Sequence, residues 1–148
     1  MRVVIRGAGD LASGVALRLR RAGMDVVLLD VEKPTAIRRT VAFSEAIVHG
    51  KQTVEDVTAR LATAETAEET LAAGMIPVLV DPEGRSIPTL RPDALVDAIL
   101  AKRNLGTKIT DAPVVIGVGP GFTAGVDCHA VVETMRGHTL GRVIREGP

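Results

Sequence analysis

Gly7-Ala8-Gly9-Asp10-Leu11-Ala12 follows the spacing G-x-G-x-x-G/A, directly after the β-branched run 2–6 and at the start of an apolar stripe. A turn of this composition can hold an anion. Gly7 permits the tight reversal, Gly9 lets the main chain approach a phosphate, and Ala12 allows the following helix to pack closely on the strand. The first helical amides lie at the positive end of the helix dipole, where Leu11 is a candidate to receive an anion. Asp30 closes a second apolar run about 20 residues on, where a carboxylate accepts ribose hydroxyls and disfavours a 2′-phosphate, so the set points to NAD over NADP. Asp10 brings negative charge into the turn, a charge that an N-cap residue spends on the first helical amides. A glycine turn that merely packs helix on sheet accounts for the same residues without a ligand.

A second cluster, Gly117-Val118-Gly119-Pro120-Gly121-Phe122-Thr123-Ala124-Gly125, is a poor helix and a poor strand. It serves either a demanding turn or the close approach of a ligand. Ligands of open α/β sheets sit beyond the carboxyl ends of the strands, so Gly119, Gly121, Phe122 and Thr123 are candidates to share one cleft with Gly7–Asp10. Lys108, Thr110, Asp111, Asp127 and His129 are the polar residues around this loop. Lys108 could offset anionic charge, although a lone lysine is more often a solvated surface residue. Asp127 and His129 form a weak acid–base candidate, being two apart on one face of an extended segment. Cys128 alternates to the other face and reads as a buried, inert thiol. His49 and His138 lack ligand-type spacing, and Arg38–Arg39 suit a phosphate, an acidic partner or an exposed helix face equally.

Certain elements must position these residues. Strands are expected at 2–6, 25–30, 76–80 and 112–118, each a short apolar run bounded by turn residues, with a short edge strand within 49–60. Helices are expected at 11–22, where Leu11, Val15, Leu19 and Ala22 form a stripe, at 35–48, at 66–73 behind a Thr66/Glu69 capping box, and at 91–103 behind Pro92. Runs 129–134 and 139–144 flank Arg136-Gly137-His138 and predict a hairpin. The alternation predicts a Rossmann-like three-layer α/β fold with a mostly parallel sheet and a C-terminal β-hairpin, as one domain over 1–148.

Composition narrows the partners. Of the 148 residues, 46% are hydrophobic and 24% charged, as in ordinary globular chains, and 18 Lys plus Arg balance 18 Asp plus Glu. No basic excess exists to bind nucleic acid, and no apolar run reaches the ~18 residues of a membrane span. The opening residues lack a secretory pattern, so cytoplasmic residence is expected. The single cysteine excludes an intrachain disulfide and a thiolate-rich zinc site. Phe43 and Phe122 are the only aromatic residues, so a flat ligand must rest on aliphatic walls and main chain.

Three stretches together carry a family resemblance: IRGAGDLASGVALRLRRAG, EKPTAIRRTVAFSEAI and NLGTKITDAPVVIGVGPGFTAGVDCHAVVETMRGHTLGRVI. They resemble the selenium-dependent molybdenum hydroxylase accessory family, the YqeB type, whose members are usually longer, so that this chain resembles their N-terminal portion. The resemblance implies an accessory role in maturing a molybdenum hydroxylase of the xanthine dehydrogenase type, with that hydroxylase or its maturation machinery as partner. Three functions follow as expectations. One is an accessory factor with a nucleotide-binding cleft, its ligand NAD or another dinucleotide, including the nucleotide part of a molybdopterin dinucleotide. The alternatives are an NAD-dependent oxidoreductase and a non-catalytic interaction module. Assembly as a homo-oligomer stays open.

Overall fold

A computed structural model describes residues 1–30, 42–101, 104–133 and 143–146. The short apolar runs become strands because each is buried on both faces. Strand β1 (Arg2–Arg6) leads through the glycine turn into α1 (Asp10–Arg21), which returns the chain to β2 (Asp25–Asp30). After α2 (Glu45–His49), β3 (Lys51–Val54) and β4 (Val57–Ala62) follow, then α3 (Ala67–Ala72), β5 (Ile76–Val80) and the single turn α4 (Ile87–Leu90). Strands β6 (Ala94–Asp97), β7 (Val114–Val118), β8 (Ala130–Val132) and β9 (Val143–Ile144) complete one sheet of order β3-β4-β5-β2-β1-β6-β7-β8-β9.

Seven neighbouring strands, β4 to β8 in that order, run parallel. Only the outer pairs β3–β4 and β8–β9 are antiparallel, the second being the expected C-terminal hairpin. The Arg136-Gly137-His138 turn between its strands lies outside the described residues. Side chains alternate across the pleat, so Val3, Ile5, Val26 and Leu28 join Ala12, Ala16 and Leu17 of α1 and Ala46 of α2 in one cluster. Val4, Val27, Leu29 and Leu95 join Ala67 of α3 with Ile87 and Leu90 of α4 in the other. Helices thus cover both faces of a mostly parallel sheet, the three-layer α/β arrangement that the alternation predicts.

Three local expectations differ from the structure. Residues 91–103 do not form a helix: Pro92 stands one place after the left-handed C-cap Arg91, where proline ends a helix instead of starting one. Ala94–Asp97 is then buried between β1 and β7, a setting that strand geometry fills and the apparent stripe of Leu95, Ile99 and Leu100 does not. The edge strand expected within 49–60 is present as β3, and it forms a hairpin with β4, reversed at Glu55, whose φ is +55°. Thr66 caps α3 without a side-chain bond to its amides and pairs with Thr63 instead, so no capping box forms. Of the helix expected at 35–48, residues 35–41 with Arg38 and Arg39 lie outside the described residues, and the described helix starts only at Glu45.

Candidate functional site

Where β1 ends, the sheet changes direction of winding: the chain moves first to β2 and later places β6 on the other side. Crevices for ligands form at such points, beyond the carboxyl ends of the strands. The Gly7–Gly9 turn sits there. Gly7 has φ +106°, and a Cβ on it would lie 2.8 Å from Ala98 O, so both its conformation and its packing against β6 require glycine. Ala8 and Ala12 are buried against the sheet, as close helix packing demands. Nothing lies within 4 Å of the place a Cβ would take on Gly9, so its outer side is open. Gly9, and not Asp10, is the N-cap of α1, with no side-chain cap bond. The Asp10 side chain lies outside the described residues.

The amides of the turn divide into two groups. Gly7 N–H donates to Leu29 O at 2.6 Å and Ala8 N–H donates to Asp30 Oδ2 at 3.1 Å, so both are engaged inside the protein. Among the described residues none accepts from the Gly9 amide. Asp30 thus reaches back to grip the turn, and its own carbonyl accepts Asp81 N–H at 2.9 Å. A second clasp comes from residues that motif reading passed over. Ser13 Oγ donates to Ala8 O and accepts Phe43 N–H at 2.7 Å, while Ser44 N–H donates to Ala8 O at 2.9 Å. Ser44 Oγ, beside this clasp, is the buried side-chain polar atom left without a hydrogen-bond partner among the described residues.

The second glycine cluster has a structural task. It carries β7 into the parallel strand β8 through residues 119–129 with no helix, a short route for a parallel crossover. Gly119, Gly121 and Gly125 take φ of +88°, +99° and +87° to do so. A Cβ on Gly117 would stand 2.4 Å from the Phe122 ring, which packs there in the core. Gly119 N–H bonds Val132 O, and Asp127 Oδ1 accepts Thr123 N–H at 2.8 Å. His129 Nδ1 accepts Val115 N–H at 2.9 Å, so Asp127 and His129 are each spent on main chain and do not form a pair. Burial, with Asp127 adding to it, pushes the Cys128 thiol up to about 11, which leaves it protonated and unreactive near neutrality. The loop shares the carboxyl edge with the Gly7 turn, but β6 stands between them, a separation of roughly 10 Å at ordinary strand spacing.

On the opposite face from α1, Arg6 is buried at the end of β1 and Asp97 is its register partner on β6. Thr107 joins them: its hydroxyl donates to Asp97 Oδ2 at 2.6 Å and accepts Arg6 Nη1–H at 2.8 Å. Pro82 O and Leu105 O accept from Arg6 Nη2, and Ile99 N–H donates to Asp97 Oδ1. The sequence signal for this network is a charge closing an otherwise apolar strand, at both Arg6 and Asp97. Lys108 is exposed, and its amide donates to Asp111 Oδ2. Thr110 is exposed as well.

A cavity of about 760 Å³ opens beyond the carboxyl ends of β4 and β5, walled by Leu61, Ala62, Leu79 and Val80, with Arg60 and Asp81 at its polar side. It is displaced from the Gly7 turn by β2, and Asp30 is bonded to both. Burial works against ionisation of Asp81, yet the Ser86 hydroxyl and the amides of Ser86, Arg85 and Gly84 outweigh it and hold this carboxyl below its ordinary range. Among the described residues no group of His, Cys, Asp and Glu could hold a metal ion, and no helix is long and apolar enough to cross a membrane.

Over 146 residues, 98% of its length, this chain is 62% identical to "Uncharacterized protein YqeB" of Escherichia coli strain K12. The two chains are alike over nearly all of this one. That span is 27% of YqeB's own length, so the chain corresponds to about a quarter of that protein. No family profile matches the chain, and no solved structure matches it.

Proposed function

We propose that this chain is the nucleotide-holding part of a cytoplasmic accessory factor that matures a molybdenum hydroxylase, with the turn at the head of α1 holding the phosphate of a dinucleotide. The observation that carries this reading is Gly9: an amide with no acceptor among the described residues, beside open space, at the N-terminus of a twelve-residue helix. Asp30, bonded both to the turn and to Asp81 of the cavity wall, supports a nucleoside half directed from the phosphate toward the 760 Å³ cavity. Gly119, Gly121, Phe122 and Thr123, on the same edge, belong to the reading only where a long ligand runs the other way, over β6. The resemblance to the accessory family supplies the hydroxylase partner, and NAD or a molybdopterin dinucleotide is the ligand class.

Calorimetry with NAD, NADP, FAD and molybdopterin cytosine dinucleotide tests it. One of these dinucleotides is expected to bind, and Gly9→Asp to abolish binding by crowding and repelling phosphate. Silence with all four sinks the proposal in favour of a non-catalytic interaction module. That second reading draws on the engaged amides of Gly7 and Ala8 and on the self-satisfied second glycine loop. Hydride turnover would instead promote the oxidoreductase.

A further inference from the structure

We infer that the cavity of about 760 Å³ beyond β4 and β5 is a nucleobase site that selects an exocyclic amino group, with Glu69 accepting from that group and Arg60 donating to an acceptor on the ring. The inference rests on the nucleoside half of the reading above and deepens it. Arg60 and Ala62 alternate to one side of β4, where Ala62 is the register partner of Leu79. Thr66, Glu69 and Thr70 lie three and four places apart, so one face of α3 lines the same cavity. Leu61 and Val80, 40% and 44% exposed, are large aliphatic side chains left open at its wall, and a flat ring would cover them. Among the described residues four charged side chains line the cavity, and two of them are engaged. Asp81 accepts the Ser86 hydroxyl and the amides of Arg85 and Ser86, while Arg85 is held by Glu83 at 2.8 Å. Arg60 and Glu69 remain. Neither side chain has a hydrogen-bond or ion-pair partner among the described residues, and they do not pair with each other. A guanidinium only donates and a carboxylate only accepts, so the two together suit a rigid ligand with an acceptor at one edge and a donor at another. A simple anion satisfies the arginine alone and is repelled by Glu69. Cytosine, with its 4-amino and 2-carbonyl groups, satisfies both, as does adenine with its 6-amino group and ring nitrogens. Uracil and hypoxanthine carry a carbonyl oxygen in place of that amino group, which sets lone pairs against the Glu69 carboxylate.

The test titrates the full chain with two pairs of free nucleosides, cytidine against uridine and adenosine against inosine, each pair alike in size and sugar. None carries a phosphate, so the readout is separate from the glycine turn. Cytidine and adenosine should bind more tightly than uridine and inosine by about tenfold or more, as for a hydrogen bond to a charged group. Glu69→Gln, whose amide both donates and accepts, should bring each pair to within about twofold. Arg60→Gln should weaken cytidine and adenosine. Both positions are exposed and make no internal side-chain bond among the described residues, so the thermal midpoints of the variants should match wild type. Equal binding within each pair by the wild type, or a preference that survives Glu69→Gln, overturns the inference. So does the absence of nucleoside binding: dinucleotide binding that persists then leaves the phosphate at the glycine turn, whereas silence from dinucleotides as well sinks both readings.

Discussion

Asp30 Oδ2 accepts the amide of Ala8 at 3.1 Å, across the carboxyl ends of β1 and β2. A residue whose position suggests ribose recognition thus first shapes the turn that would carry the phosphate. With the carboxylate removed, the buried Ala8 amide has no acceptor in the described structure, a loss of about 1–3 kcal/mol. Asp30→Ala should therefore lower stability in urea by that amount and also weaken NAD more than it weakens free phosphate. Equal losses for NAD and phosphate would confine Asp30 to its structural role.

Thr107 joins a buried cation to a buried anion by one hydroxyl, which accepts from Arg6 and donates to Asp97. Thr107→Val keeps the shape and removes both bonds, leaving a guanidinium N–H and a carboxylate oxygen short of partners, at a cost of about 3 kcal/mol. Thr107→Ser keeps the hydroxyl and should fall within about 1 kcal/mol of wild type. Chemical denaturation of the two variants checks the contrast, and an equal loss in both would show that the hydroxyl contributes no more than the methyl group.

Cys128 titrates at about 11 in the folded chain against 9.0 for an ordinary thiol, chiefly because burial disfavours the thiolate. Between those values the folded chain holds a proton that the unfolded chain has released. Its contribution to stability is therefore complete below pH 9 and declines as pH rises toward 11. Cys128→Ala should flatten that alkaline decline in the unfolding midpoint. In the native chain the thiol should also resist alkylation at pH 8, and become reactive on denaturation. Rapid native alkylation would contradict its burial.

The sheet interior was legible because β1, β2, β5 and β7 are apolar on both faces and end in turn residues, a pattern no amphipathic helix imitates over so few residues. Strand β6 was hidden. Leu95, Ile99 and Leu100 mimic a helical stripe, and Pro92 reads equally well as a helix start or as the residue after a C-cap until the neighbours of Ala94–Asp97 are known. The glycine motif located the turn at Gly7 and the open side at Gly9. It gave no hint of the Ser13 and Ser44 clasp, since a serine in a helix and another thirty-one residues later acquire meaning only when Ala8 O is placed between them. In the second cluster the unusual backbone angles at Gly119, Gly121 and Gly125 were readable from composition, whereas the helix-free parallel crossover they serve depends on which strands pair.

The two antiparallel pairs at the rims of the sheet bear on how the chain behaves in concentrated solution. Unpaired strand edges template aggregation, and long flat ones do so most readily. Here the parallel interior never reaches an edge: it is closed on one side by the four-residue β3, which carries Lys51, and on the other by the two-residue β9. Such short borders offer a neighbouring molecule few hydrogen bonds to extend, so growth of one sheet onto another is discouraged at the very rims where it would begin.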